Sequence, residues 1–137
     1  MVSMMYGLFL MACSGGGVQG IINVDTGSSV DSTGPQIEHT PVTDPHTYKM
    51  SVSFDAVVND ESGVLFVELM YKQETAAEWR SVLMSEVGGG LYQGTIPGDS
   101  VYDASISYYI VAQDTLENEA CLPSDCALVP WSFPVVN

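Results

Sequence analysis

Strict alternation of apolar and polar residues over residues 48–58 constrains this chain more than any other feature. Tyr48, Met50, Val52, Phe54, Ala56 and Val58 share one face, while Lys49, Ser51, Ser53 and Asp55 share the other. A period of two is that of a β-strand, and a single apolar face marks a strand half-buried in an antiparallel sheet. Asn59-Asp60-Glu61-Ser62-Gly63 then supplies turn chemistry, since Asn and Asp bond their own backbone and Gly tolerates a positive φ.

The pattern recurs down the chain. Residues 64–72 place Leu65, Val67, Leu69 and Tyr71 on one face, with Phe66, Glu68 and Met70 opposite. Residues 78–84 carry Trp79 and follow a polar bend at 73–77. Gly88-Gly89-Gly90 breaks the chain before a strand at 91–96, which Pro97-Gly98-Asp99 ends. Residues 105–113 turn Ile106, Tyr108, Ile110 and Ala112 inward. A last strand falls within 127–136, where Pro130 and Pro134 push it to an edge or an irregular position. With a short first strand at 36–42 the sum is seven, at the turn spacing of a sandwich. No segment has a helical period. The prediction is an all-β fold: a single seven-stranded antiparallel β-sandwich over residues 35–137.

Charge narrows the partners. Seventeen acidic residues face three basic ones (Lys49, Lys72, Arg80), for a formal net charge of -14. Without a basic patch there is nothing to replace the counterions of a phosphate backbone, so nucleic acid is excluded as a partner. An anionic membrane surface would likewise repel the folded body.

The first twelve residues, MVSMMYGLFLMA, carry no charged side chain and end before Cys13. They are too short to span a bilayer, which takes roughly 20 residues, but suit a signal-peptide apolar region with a small residue at the cleavage position. Residues 14–34 are rich in Gly and Ser and hold no aromatic or basic residue. Such composition predicts a flexible tether reaching about 25 Å.

Leu10-Met11-Ala12-Cys13 resembles the lipobox of bacterial lipoproteins. The resemblance implies cleavage before Cys13, diacylation of its thiol (palmitate being a typical chain), and often a further acyl chain on the new amine. Several chains together anchor stably where one does so marginally. It divides the chain into a signal peptide (1–12), a lipidated cysteine with its linker (13–34) and the sandwich (35–137). It also implies a bacterial cell-envelope location, with Ser14 and Gly15 rather than an aspartate after the cysteine favouring the outer membrane.

A second resemblance covers about 100 residues. Tyr108-Tyr109-Ile110-Val111-Ala112-Gln113-Asp114 with Asn118, the stretch Gly90-Leu91-Tyr92-Gln93-Gly94-Thr95-Ile96-Pro97, and the opening Pro35-Gln36-Ile37-Glu38-His39-Thr40-Pro41 are similar to fibronectin-type-III-like and immunoglobulin-like modules of secreted bacterial proteins. It implies that Tyr108 is a tyrosine-corner residue, its ring buried and its hydroxyl bonded to upstream backbone. Such modules serve as spacers, adhesion units or accessory binding domains. The inference from fold to function is one of analogy.

In an extracytoplasmic setting, Cys121 and Cys126 are expected to form a disulfide across Leu122-Pro123-Ser124-Asp125. The spacing is not the C-x-x-C of a redox motif, and His39 and His46 are too distant in sequence to complete a zinc site. Acidic turns give a sharper expectation. In an immunoglobulin-like sandwich the loop after the second strand and the loop before the last lie at one end. That would gather Asn59, Asp60, Glu61, Asp114, Glu117 and Asn118, with Glu119 beside them. Six to eight oxygens at about 2.4 Å suit Ca²⁺, and extracellular calcium tolerates weak sites. Solvated acidic turns without an ion are the competing reading.

Catalysis is not expected. There is no Ser-His-Asp pattern in a recognisable pocket context, and no glycine-rich loop leading into a helix with Lys-Ser/Thr. Apart from Ca²⁺ no cofactor is expected. The sequence therefore points to a membrane-anchored, non-enzymatic module with a protein-interaction, adhesion or envelope-scaffold role. The alternative is a binding module for Ca²⁺ or glycan, using the acidic loops or aromatics among Tyr71, Trp79, Tyr92, Tyr102, Tyr109 and Trp131. The partner is an envelope or extracellular protein or glycan, with the membrane touched through the lipid alone.

Overall fold

The computed structural model describes residues 30–137. The expected signal peptide, the expected lipidation site Cys13 and most of the expected linker lie outside the described residues. One compact unit spans Asp31–Asn137.

Nine strands build it: β1 (Gln36–Glu38), β2 (His46–Thr47), β3 (Val52–Asn59), β4 (Val64–Gln73), β5 (Arg80–Gly88), β6 (Leu91–Ile96), β7 (Ser105–Asp114), β8 (Glu119–Leu122) and β9 (Trp131–Val136). The hydrogen-bonded order is β1-β3-β6-β5-β4-β7-β9-β2, with β8 also on β7. β1, β3 and β6 form one layer; β4, β7, β8 and β9 form the other. β5 joins the two, because Arg80–Met84 pairs with β4 while Ser85–Gly88 pairs with β6. This is the two-layer sandwich that the alternation predicts, with an immunoglobulin-like or fibronectin-type-III-like strand order.

Period-two faces meet in the middle. Val52, Phe54, Ala56 and Val58 from β3 pack toward Val67, Leu69 and Tyr71 from β4 and Ile106, Tyr108, Ile110 and Ala112 from β7, all buried. An aromatic cluster crosses the layers: Phe54 lies 4.8 Å from Tyr108 and 6.1 Å from Phe133, centroid to centroid. Burying side chains of this size contributes about 1.5–3 kcal/mol each.

Three departures from the sequence reading have local causes. Tyr48 and Met50 are exposed at 43% and 59% rather than continuing the inward face of β3. The chain turns there, with Lys49 at φ 62 and the Met50 N–H donating to the Thr47 carbonyl at 3.1 Å. Leu65 is also exposed, because the register between β4 and β7 slips between Val64 and Phe66 and reverses the side-chain alternation before it resumes.

The third departure is the strand count, nine instead of seven. One extra is β2, a two-residue strand running parallel to β9. The other is β8, which forms inside the segment expected to be the loop before the last strand. β8 pairs with Ile110–Gln113 of β7 and β9 with Ser105–Tyr108, and the segment from Pro123 to Pro130 loops out between them. Pro123 has no N–H for the ladder, and the Cys121–Cys126 disulfide, with Cα atoms 5.7 Å apart, closes the base of that loop.

Candidate metal centre

The β3–β4 turn is organised by Asp60. Its Oδ1 accepts from the Ser62 N–H at 2.8 Å and from the Ser62 hydroxyl at 2.6 Å. Asp114 organises the β7–β8 turn in a similar way. Its Oδ1 accepts from the N–H groups of Leu116 (2.7 Å) and Asn118 (2.9 Å), and its Oδ2 from Asn118 Nδ2 at 2.7 Å. The two turns are bonded to each other, since Thr115 donates its N–H to the Gly63 carbonyl and its hydroxyl to the Ser62 carbonyl. The two loops thus share one end of the sandwich.

A third carboxylate arrives from a segment that the sequence reading assigns to the linker. Asp31 Oδ1 accepts from the N–H and the hydroxyl of Thr33 at 3.0 and 2.7 Å, repeating the Asp60–Ser62 arrangement. Its backbone carbonyl accepts from Asn118 Nδ2 at 3.2 Å. Three residues on, a Cβ at Gly34 would overlap the Glu119 carbonyl, so glycine permits the incoming chain to lie against β8. Ligand-type oxygens of Asp31, Asp60 and Asp114 all lie within 4.8 Å of one another.

The electrostatics of this cluster are lopsided. Asp114 is fully buried. Burial pushes its carboxyl upward, but the bonds from Asn118 and Leu116 outweigh that and hold it below the ordinary range. Asp31 is likewise held low, by the Thr33 N–H first and the Thr33 hydroxyl second, against the charge of Asp114. Both are therefore ionised at neutral pH. Asp31 Oδ2 is buried and has no hydrogen-bond partner.

Of the residues expected from sequence, Asp60, Asp114 and Asn118 come together. Asn59, Glu61 and Glu117 are exposed and stand outside the three-carboxylate group, as does Glu119. Asn59 instead turns its Oδ1 toward Gly90 on the β5–β6 turn, and Glu117 occupies a left-handed position at φ 71. Asp31 was missed, although a signal existed: Asp31-Ser32-Thr33-Gly34 and Asp60-Glu61-Ser62-Gly63 share one Asp-x-Ser/Thr-Gly pattern.

Elsewhere the polar side chains are structural. Tyr108 is buried and its hydroxyl accepts from the upstream Val42 N–H at 2.7 Å, as the tyrosine-corner resemblance implies. His39 bridges the Asp55 carbonyl and the Tyr108 hydroxyl at 2.6 and 2.9 Å, which occupies both ring nitrogens. His46 packs on Phe133. Tyr71 is buried and donates to Ser100 Oγ, and Trp131 packs against His39 and Tyr108. Trp79 packs edge-on to Tyr109 with Lys72 Nζ 5.2 Å from its ring centre.

Neither the known family models nor the curated proteins give a match to this chain. Among solved structures it is similar to the titin M3 domain, at 13% identity and a TM-score of 0.48, over 77% of this chain and 99% of that one. It is also similar to the titin M4 domain, at 11% identity and TM-score 0.42 over 77% and 97%. Murine CRIg gives 9% and 0.40 over 74% and 95%. The fold assignment rests on the strand order and register described above.

Proposed function

We propose that the protein is a lipid-anchored module of the bacterial cell envelope that works by binding rather than by catalysis. The address comes from the lipobox resemblance at Leu10-Met11-Ala12-Cys13. The absence of chemistry is supported by His39 and His46, the chain's histidines, which are committed to packing and to backbone and tyrosine partners. The observation that carries the binding role is the convergence of the β3–β4 and β7–β8 turns at one end of the sandwich, where Asp31, Asp60 and Asp114 come together. Scaffolds that present loops in this way commonly do their work through them. Membrane fractionation and mass spectrometry of wild type and Cys13→Ala test the address. Wild type is expected in the membrane carrying acyl chains, and the variant in the soluble fraction. An unmodified, soluble wild type contradicts it. Cross-linking in native envelopes, followed by pull-down, is expected to return an envelope protein or glycan.

A second reading is favoured by the Asp31, Asp60 and Asp114 oxygens. Two oxygens on opposite sides of a calcium ion stand about 4.8 Å apart, twice the usual Ca–O distance of about 2.4 Å, and 4.8 Å is the span within which these three groups lie. In this reading the loop end is a calcium-dependent element of the binding module.

A further inference from the structure

We propose that a divalent cation, Ca²⁺ by its chemistry, binds with Asp31 as a ligand and clamps the incoming chain onto the β3–β4 and β7–β8 turns. The proposal rests on the calcium reading above and deepens it, because Asp31 lies outside both turns.

Three parts of the chain, 29 and 54 residues apart, deliver carboxylates to one spot. In the free protein their charges repel at short range. Four of the cluster's carboxylate oxygens have donors: Ser62 serves Asp60 Oδ1, Thr33 serves Asp31 Oδ1, and Leu116 and Asn118 serve both oxygens of Asp114. Asp31 Oδ2 has none, and it is closed off from water. An ionised oxygen in such a place is costly unless a cation compensates it.

The protein supplies no such cation. Its basic side chains gather at the other end of the sandwich. Lys72 pairs with Ser107, eight residues along β4 from the Val64–Asp114 pair and so about 26 Å away at the rise of a strand. Arg80 pairs with Tyr71 beside it. Lys49 precedes β3, whose far end leads to Asp60, and its N–H bonds the Val101 carbonyl. An all-oxygen donor set without His or Cys selects a hard cation, and ligands drawn from three separate segments suit the adaptable coordination of Ca²⁺ better than the strict octahedron of Mg²⁺. Water would fill the positions that three carboxylates leave open.

The mechanical consequence follows from how residues 31–34 are otherwise held. Among the described residues, Thr33 bonds back to Asp31, within the segment itself. The Asp31 backbone is tied to the turns by Asn118 Nδ2, which donates to its carbonyl at 3.2 Å. Gly34 adds its close approach to Glu119. A shared ion turns that light attachment into a cross-link, so calcium sets whether residues 31–34 are held firmly or loosely against the two turns.

The test uses the full chain in detergent, stripped with chelator and titrated with CaCl₂ by calorimetry. Backbone hydrogen exchange over residues 32–34 is followed in parallel. Calcium is expected to bind with a dissociation constant in or below the range of about 0.1–1 mM typical of extracellular sites, and to slow exchange at residues 32–34 about tenfold or more. Asp31→Asn is expected to weaken binding at least about tenfold and abolish that protection. Calcium binding that leaves exchange at 32–34 unchanged and is indifferent to Asp31→Asn overturns the clamp but leaves an ion held by Asp60 and Asp114. No binding by wild type up to about 10 mM overturns both.

Discussion

The two ends of the sandwich handle their acidic residues in opposite ways. At the end where β4 runs into β5 and β6 into β7, Asp103 Oδ2 takes both the N–H and the hydroxyl of Thr75, at 3.1 and 2.6 Å. Ser105 donates to Glu74, and Lys72 and Arg80 lie close along the strands. That end does keep one orphan, the buried Oε1 of Gln73, but it is neutral, and the Gln73 Nε2 donates to the Ser100 carbonyl at 2.7 Å. At the other end the orphan is a carboxylate oxygen, Asp31 Oδ2, beside two more carboxylates. A neutral unpaired group costs about 1–3 kcal/mol, and a charged one costs more. The first end satisfies its charged groups within the fold; the second is the end that we propose a cation completes.

Perturbations that ignore the ends should be largest. Phe54→Ala opens the aromatic cluster shared by both layers and is expected to lower stability by about 3–5 kcal/mol in urea titrations, with or without calcium. Dependence on calcium would break the comparison, because the core would then report on the loop end. Replacing Cys121 and Cys126 by Ser removes a six-residue closed loop and is expected to cost about 2 kcal/mol in the same assay, while leaving calcium binding intact. Asp103→Ala removes both Thr75 bonds and puts alanine at a position of φ 72, at an expected cost of about 1–2 kcal/mol. Its melting shift should be the same in calcium and in chelator.

The smallest effects are in pH. Asp31 and Asp114 titrate below the ordinary carboxylate range in the folded state. Their stabilising contribution is present above the unfolded-state value near 3.8 and is lost as pH falls through the lower folded value. Denaturant midpoints should therefore fall on acidification below about pH 4, and Asp114→Asn should flatten that acid limb. The alkaline limb belongs to the core. Burial raises the Tyr108 phenol from 10.0 to about 12, partly offset by the Val42 N–H. Stability should be intact below pH 10.0 and decline as the pH rises toward about 12.

What was legible in the sequence follows from the range of each signal. Alternation is local, so β6 was placed residue for residue, and the buried faces of β3 and β7 were read correctly from Val52 and Ile106 onward. A bulge is also local but leaves no compositional mark, so Leu65 was assigned inward. The two extra strands leave no such mark: β8 forms by pairing with β7 in a segment whose composition reads as loop, and β2 is two residues long and exists through its parallel partner β9. The site divides similarly. Asp60, Asp114 and Asn118 followed from the loop geometry of a sandwich. Asp31 did not, because Ser-, Asp- and Gly-rich composition reads as linker, while its attachment depends on Asn118 and Glu119, 87 and 85 residues away in sequence. The repeated Asp-x-Ser/Thr-Gly pattern was the available clue.

The comparison of the two ends is tested most directly by thermal melting of the full chain in chelator and in calcium. At a hundredfold excess over the dissociation constant, an ion bound to the folded state alone adds about 2.7 kcal/mol. For a domain of this size that is an upward shift on the order of 10 °C. The account predicts such a shift in wild type and in Asp103→Ala, and a shift cut by about half or more in Asp31→Asn and Asp60→Asn. An identical melting temperature in chelator and in calcium for wild type would contradict it.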